Sequence, residues 1–347
     1  MPVSIVVGGQ FGSEGKGKVA LEIVRRADGR STVVRVGGPN SGHTAYDRHG
    51  RRWALRQMPA ACVDLNVDVV FPAGSYIDIE LLRSEIDALS FPEDRIHIHP
   101  FANIITDQHR AWEQSSNLTG RIGSTGSGVG AAVMASVART AENFPLVAVH
   151  AQFQGQLEPM IRDTSTVLDD ILRRGDRVVI EGSQGFGLSL LDGGIWPKAT
   201  ARSTTAAAAL SEAGIGIAHV DDVVLVLRSF PIRVAGESGP LSRETTWQRI
   251  AERTGRSDDI REYTTVTKKL RRVGEFDVEL ARKAIMVNAP HRLVLNHLDY
   301  VGPAEELNLQ SGAARRFVTD VEAWIGRPVS WLGFDPYSVV DRTRMFA

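Results

Sequence analysis

The chain has 347 residues, with 40 Lys+Arg against 41 Asp+Glu and a formal net charge of -1. That balance excludes an electrostatic case for nucleic acid or an anionic membrane as main partner. Hydrophobic residues at 43% and charged residues at 23% fit a folded globular protein, and a single cysteine, Cys62, excludes an intrachain disulfide or a Cys-rich zinc site and fits a small buried residue.

In chain order, residues 4–7 form a short apolar run that predicts a strand, followed by a glycine-rich turn and a helical pattern over 18–26. Residues 32–36 and 67–71 predict strands, and 79–89 a helix. Residues 157–174 predict a helix, 177–180 and 222–227 strands, 244–253 and 278–287 helices, 292–295 a strand and 315–325 a helix. Apolar, β-branched runs of four to six residues suit strands covered on both faces. Their alternation with helices predicts an α/β fold with a largely parallel central sheet flanked by helices, which binds ligands at the carboxyl ends of its strands. No Pro/Ser-rich linker breaks the pattern, so residues 1–347 are expected to form a single domain with long functional insertions. The first residues carry no basic segment, and their apolar run ends at Gly8-Gly9, so no signal peptide is expected. No stretch is apolar enough to span a membrane, and the expected location is the cytoplasm. His97 and His99 are expected on one side of a strand; two histidines without a third ligand point to packing or surface roles rather than metal.

Glycine makes up 33 residues. Fifteen of these lie in three windows, five in each: 8–17, 120–130 and 182–194. These windows abut patterned segments, so they are expected to be loops where backbone approaches a ligand closely. The first reads Gly8-Gly9-Gln10-Phe11-Gly12-Ser13-Glu14-Gly15-Lys16-Gly17-Lys18 between a strand and a helix. Converging N–H groups, a helix N-terminus and two lysines suit a polyphosphate. The segment is not a strict Walker A loop, because Gln10 and Gly17 stand where Gly and Ser/Thr would be.

Five ordered motifs carry a family resemblance. The first window resembles the phosphate loop of adenylosuccinate synthetases. Gly37-Gly38-Pro39-Asn40-Ser41-Gly42-His43-Thr44 is similar to that family's Gly-His-Asn-Ala-Gly-His-Thr segment. Gly123 to Gly130 resembles its Gly-Thr-Thr-Gly-Arg-Gly-Ile-Gly stretch. Glu181-Gly182-Ser183-Gln184-Gly185, followed by Trp196-Pro197-Lys198-Ala199-Thr200, resembles Glu-Gly-Ala-Gln-Gly and Tyr-Pro-Tyr-Val-Thr. Thr265 to Gly274 resembles its Thr- and Arg-rich aspartate loop.

The resemblance implies a ligase. Such enzymes phosphorylate the 6-oxygen of a purine monophosphate with a nucleoside triphosphate, and the aspartate amine then displaces that phosphate. It implies that Gly12, Ser13, Glu14, Gly15, Lys16, Gly17 and Lys18 hold the donor nucleotide, with Asp299 and Gly333 near its base. Ser13 and His43 fall at catalytic positions, His43 bonding the transferring phosphate. Ser13 and the Gly42 carbonyl fall at Mg²⁺ positions. Ser13, Asn40, Thr125, Gln184 and Thr200 match the purine monophosphate site, joined by Arg139 reaching from the neighbouring subunit of a homodimer. Val266, Thr267 and Arg271 match the aspartate site. Lys268, Lys269, Arg271 and Arg272 place four cations in five residues, which suits an anion.

One departure stands out. The family has Asp where this chain has Ser13, as metal ligand and as base at purine N1. A serine hydroxyl is no base near neutral pH, but it leaves room for a 2-amino group beside N1. This resembles the phage branch of the family, which makes 2-amino-2′-deoxyadenylosuccinate from dGMP for DNA containing 2-aminoadenine. Lys269 replaces an arginine near the ribose, which suits a deoxynucleotide. His297 replaces a lysine, and Gly333-Phe334-Asp335-Pro336 alters the donor-base motif. The expected substrates are therefore dGMP, L-aspartate and ATP, with Mg²⁺. The rivals are an ordinary adenylosuccinate synthetase using IMP and GTP, a catalytically silent nucleotide-binding regulator, and a simple P-loop NTPase switch.

Overall fold

The apolar runs become strands of one nine-stranded sheet. Its spatial order is Val340–Asp341, Trp331–Leu332, Arg292–Asn296, Val220–Arg228, Val3–Gly8, Arg177–Glu181, Ser31–Arg35, Val67–Phe71 and Ile96–Ile98. Every pairing is parallel except the last at one edge, between Trp331–Leu332 and Val340–Asp341. The structure is a computed structural model, and it describes residues 2–139, 141–256, 260–264, 268–304 and 312–345.

Side chains on successive strand positions enter opposite cores, as pleating requires. Ile5, Val7, Val34, Ile180, Leu225 and Leu227 join one apolar cluster, and Val6, Val33, Val179, Val224 and Val226 the other. Helices Lys16–Arg26 and Ile79–Leu89 cover the second face with Val19, Leu21, Ile23, Leu82 and Ile86. Helices Thr164–Arg173, Ala206–Ala213, Trp247–Thr254, Val278–Asn288 and Ala313–Ile325 cover the first. Both faces are dry, which is why the strands read as unbroken apolar runs rather than alternating ones. Cys62 is free and buried. Among the described residues no helix is long and apolar enough to cross a membrane.

Several expected bounds shift for local reasons. The 157–174 helix divides into a short 3-10 turn, Gly155–Met160, and a helix, Thr164–Arg173. Pro159 has no N–H to continue the turn, and Asp163 caps the new start by accepting from Ser165 N. The 244–253 helix begins only at Trp247, capped by Thr246. Glu244–Thr245 instead pairs with Arg272–Gly274 in a small antiparallel sheet that also holds Ile232–Arg233. The first helix starts two residues earlier than expected, at Lys16. An antiparallel hairpin, His43–Tyr46 with Arg52–Leu55, was not foreseen. His97 lies in the edge strand, but His99 lies beyond its end. There the His99 ring nitrogen accepts from Phe101 N. Among the described residues no group of three His, Cys, Asp or Glu could hold a metal.

The central strands share one feature. Four of them run through apolar middles and end in Arg35, Glu181, Arg228 and Asn296, each with at most 1% of its surface exposed. These buried polar ends, two on each side of the strand that ends at Gly8, form the floor of a site at the carboxyl edge of the sheet.

Candidate active site

The phosphate loop leaves the central strand at Gly8 and enters its helix at Lys16. Gly12, Ser13 and Gly15 all have left-handed backbone, with φ of 93°, 58° and 89°. Ser13 is the exception among them, since a serine gains nothing from that region that glycine does not. Inside the turn lies the Glu14 carboxylate, wholly buried. It accepts from Gln10 N at 3.1 Å, Gly12 N at 2.8 Å and Lys16 Nζ at 2.7 Å. A Cβ at Gly8 would fall 2.5 Å from the Glu14 carboxylate, and one at Gly185 would overlap its other oxygen. Two glycines from different windows are thus required by one acidic side chain. Gly185→Ala is expected to lower stability by about 2 kcal/mol and to weaken nucleotide binding, because Glu14 has no room to retreat. Thermal denaturation and a nucleotide titration check this beside Gly155→Ala, where an added Cβ meets nothing within 4 Å.

Lys18 Nζ donates to the Asp335 carbonyl at 2.6 Å, and burial lowers its pKa to about 8 against the pull of Asp335 and Asp299. Gly333 is buried beside it, where a Cβ would fall 2.6 Å from Lys18 Nζ. The Gly333 turn and the phosphate loop are therefore in contact, and Asn296 Nδ2 donates to the Glu14 carbonyl at 2.7 Å. Asp299 is half-buried and ion-paired with Arg256 at 3.1 Å. His297, between them in sequence, is kept neutral by burial and by Arg228, with its pKa lowered to about 3.

At the ends of two adjacent strands, Arg35 and Glu181 are register partners. Glu181 Oε1 lies 2.5 Å from His43 Nδ1, and its carboxylate also accepts from Ala60 N, Ala61 N and Arg35 Nη1. Arg35 Nη1 is also 3.0 Å from His43 Nδ1. An arginine only donates, so Nδ1 cannot accept from it and donate to Glu181 together. The shorter contact with a charged acceptor assigns Nδ1–H to Glu181 and leaves Nε2 with its lone pair, 3.4 Å from Ser41 Oγ. Burial, then Arg35, lowers the His43 pKa to about 4, so the imidazole is neutral near pH 7. Burial opposes the Glu181 charge, but His43 and Arg35 outweigh it and hold the carboxyl at about 2.

Ser41 Oγ also lies 3.4 Å from Gln184 N, and Gln184 carries a left-handed φ of 56°. The Gln184 Oε1 and Asn40 Oδ1 atoms are buried acceptors without a partner. The second window joins them through Gly38, whose Cβ would meet Val129 at 2.8 Å. In that window, Glu113 accepts from Gly128 N, Gly130 N and Ala131 N. These amides are satisfied within the protein, so they do not approach a ligand as the glycine spacing suggested. In the same stretch the Thr125 and Ser127 hydroxyls are 3.0 Å apart. Thr200 is half-buried on a loop whose Ala201 lies 3.7 Å from a Cβ built at Gly130. Arg139 ends the helix Val129–Ala138, exposed, with a φ of 56°.

The aspartate-loop segment places Arg271 against the phosphate loop. Arg271 Nη1 donates to Ser13 Oγ, and Arg228 Nη1 donates to the Ser13 carbonyl at 3.0 Å. Val266 and Thr267 lie outside the described residues. Gly42 is exposed at the turn before His43. Glu181, Arg35, Glu113, Arg228 and Glu262 were not singled out by sequence reasoning. Glu181 stood inside a quoted motif, and the other four carry no local signal.

A glycine- and lysine-rich loop on the central strand, a carboxylate-bound histidine beside the neighbouring strand and an arginine set against residue 13 suit an α/β enzyme that handles phosphate. The chain belongs to the adenylosuccinate synthetase family: that family's model matches residues 5–154 and 142–313. It is a C–N ligase that uses aspartate and a purine nucleotide. The adenylosuccinate synthetase of Thermococcus onnurineus is 36% identical over 99% of both chains, and that of Thermococcus sibiricus is 34% identical over 97% of this chain and 96% of its own. The fully ligated adenylosuccinate synthetase of Plasmodium falciparum shares the fold, with a TM-score of 0.84 and 20% identity over 98% of this chain and 100% of its own. The cyanophage S-2L succinoaminodeoxyadenylate synthetase, solved bound to dGMP and dATP as an energy donor, superposes with a TM-score of 0.79 and 27% identity over 99% of both chains.

Proposed function

We propose that this ligase joins L-aspartate to the 6-position of dGMP, using ATP and Mg²⁺, and yields 2-amino-2′-deoxyadenylosuccinate for DNA containing 2-aminoadenine. The observation that carries the reading is Ser13, a short neutral side chain at the loop position that bonds Arg271. The dGMP-bound cyanophage enzyme supports it. So do the unpartnered acceptors on Asn40 and Gln184. Guanine offers N1–H and a 2-amino group as donors, whereas hypoxanthine offers only N1–H.

In this reading Lys16, Lys18 and the Gly12–Gly17 turn hold the donor phosphates. Asn40, Thr125, Gln184 and Thr200 hold the purine monophosphate, with Arg139 supplied by a second subunit. Arg271, with Val266 and Thr267, grips aspartate. Asp299 and Gly333 lie beside the donor base, and the ion pair with Arg256 occupies the carboxylate that would otherwise read guanine, which supports an adenine donor. Mg²⁺ fits an oxygen-only donor set: the Ser13 hydroxyl keeps one lone pair beyond its bond from Arg271, and the Gly42 carbonyl is the second neutral oxygen. Bound there with the triphosphate, it would neutralise charge on the transferring group. O6 attacks the γ-phosphorus as ADP leaves, the N1 proton passes to water, and the aspartate amine then displaces phosphate from C6 and gives up its own proton to water. An anionic phosphoryl group raises the low His43 pKa, so the imidazole gains a proton as the charge it must bond develops.

Purified protein given ATP, Mg²⁺, aspartate and either dGMP or IMP tests the reading through aspartate-dependent phosphate release. Turnover of dGMP is expected. Turnover of IMP alone identifies an ordinary adenylosuccinate synthetase, as the archaeal relatives are named. Nucleotide binding without turnover of either identifies a silent regulator.

A further inference from the structure

Two arginines converge on residue 13, and one glutamate ties both of them down. Arg228 ends the central strand Val220–Arg228, with 0% of its surface exposed. Its Nη2 donates to Glu262 Oε1 at 2.5 Å and its Nη1 to Glu262 Oε2 at 3.3 Å, while Nη1 also reaches the Ser13 carbonyl. The main chain of Arg228 is clasped by the Gln10 side chain, which accepts from its N at 2.9 Å and donates to its carbonyl at 3.1 Å. Arg228 is thus fixed to the phosphate loop at two points, Gln10 and Ser13. Glu262 stands at the stem of the aspartate loop. Its carbonyl accepts from Arg271 N at 2.9 Å, and Tyr263 bridges Leu270 across the same stem. Tyr300, from the donor-base segment, donates its hydroxyl to Glu262 Oε1 at 3.2 Å.

We propose that the pair of buried Arg228 and half-buried Glu262 is a positioning element that holds the aspartate-loop stem in register with residue 13, so that Arg271 meets aspartate at the right distance from the purine. The inference rests on the reading of Arg271 as an aspartate grip. A largely buried ion pair is weak evidence for net stability, and fixing a geometry is the other role that such pairs serve. It also joins three substrate subsites through one carboxylate. The Glu262 carboxylate bonds Arg228 and Tyr300 and the Glu262 carbonyl holds Arg271, so loss of the carboxylate acts first on Arg271, whereas Arg228 also holds the phosphate loop.

The test is steady-state kinetics on Glu262→Gln and Arg228→Lys, with whichever of dGMP or IMP the unaltered protein turns over. Glu262→Gln is expected to raise KM for aspartate at least tenfold, with KM for the purine monophosphate and for ATP within about twofold. Arg228→Lys keeps the cation but cannot bond Glu262 and Ser13 together, and it is expected to raise aspartate KM by a smaller factor. Unchanged aspartate KM in both variants overturns the inference. So does a common rise in all three KM values with a lowered melting temperature, which assigns the pair to stability alone. An unaltered protein with no aspartate-dependent turnover of either purine defeats the functional reading instead.

Discussion

The Glu181→Gln variant is expected to lose about a thousandfold in kcat, with KM for the nucleotides little changed. The loss follows from the number of donors aimed at one carboxylate. Glu181 accepts from His43 Nδ1–H, Arg35 and the amides of Ala60 and Ala61. A carboxylate is acceptor-only, whereas an amide turns two N–H groups toward at least one of these donors. The His43 tautomer loses the group that fixes it, and Arg35, fully buried, loses its counter-charge. Exchanging the orienting carboxylate of a histidine for its amide costs on the order of 10³ to 10⁴ in turnover where the histidine moves the critical proton. The acid side of the stability curve checks the same pair. The folded Glu181 pKa is depressed to about 2, so its contribution is complete above the ordinary carboxylate range and is lost as pH falls toward 2. The His43 pKa is also depressed, from 6.5 to about 4, so between those values the unfolded chain binds the proton first and stability falls with pH. Melting temperature measured from pH 7 to pH 3 is expected to fall throughout. In Glu181→Gln the carboxylate part of that fall disappears. A variant with ordinary turnover would remove His43–Glu181 from the chemistry.

The phosphate loop was legible because its chemistry is contiguous. Gly12, Gly15, Lys16 and Lys18 lie within seven residues, and strand, turn and helix each leave a local mark. The sheet was legible for a similar reason, since two dry faces produce unbroken apolar runs. The His43–Glu181–Arg35 cluster was not. Its members are brought together only because the strands ending at Arg35 and Glu181 are neighbours in the sheet, although 146 residues separate them. Sheet order is a tertiary fact that apolar periodicity does not encode. Arg228 and Glu262 were hidden in the same way, one at the end of an apolar run and the other in a charged loop. The second glycine window misled in part. Its spacing described a close backbone approach correctly, but the approach is to Glu113, a carboxylate of this same chain. Glycine reports the need for room and leaves open what fills it.

Ser13→Asp is expected to change the purine preference by roughly 100-fold in kcat/KM, away from dGMP and toward IMP. The backbone at position 13 has a φ of 58°, a region that Asp adopts more readily than serine, so the substitution costs little in the loop itself. The new carboxylate arrives where Arg271 now donates to a hydroxyl, and that guanidinium holds it facing the reaction centre. There it supplies a base for N1, which helps any 6-oxopurine, and it fills the space beside C2, which penalises only a purine with an amino group. Because the longer side chain takes the room that the 2-amino group needs and takes nothing from hypoxanthine, the ratio shifts mainly through loss of dGMP turnover. Ser13→Ala separates room from hydrogen bonding. It keeps the space and removes the hydroxyl, so dGMP remains preferred while turnover falls with the lost contact to Arg271 and the metal. Measured side by side, a Ser13→Asp ratio within threefold of the unaltered protein moves control of the purine to another residue. A Ser13→Ala protein that loses its preference for dGMP makes the hydroxyl, and not the space around it, the element that reads the base.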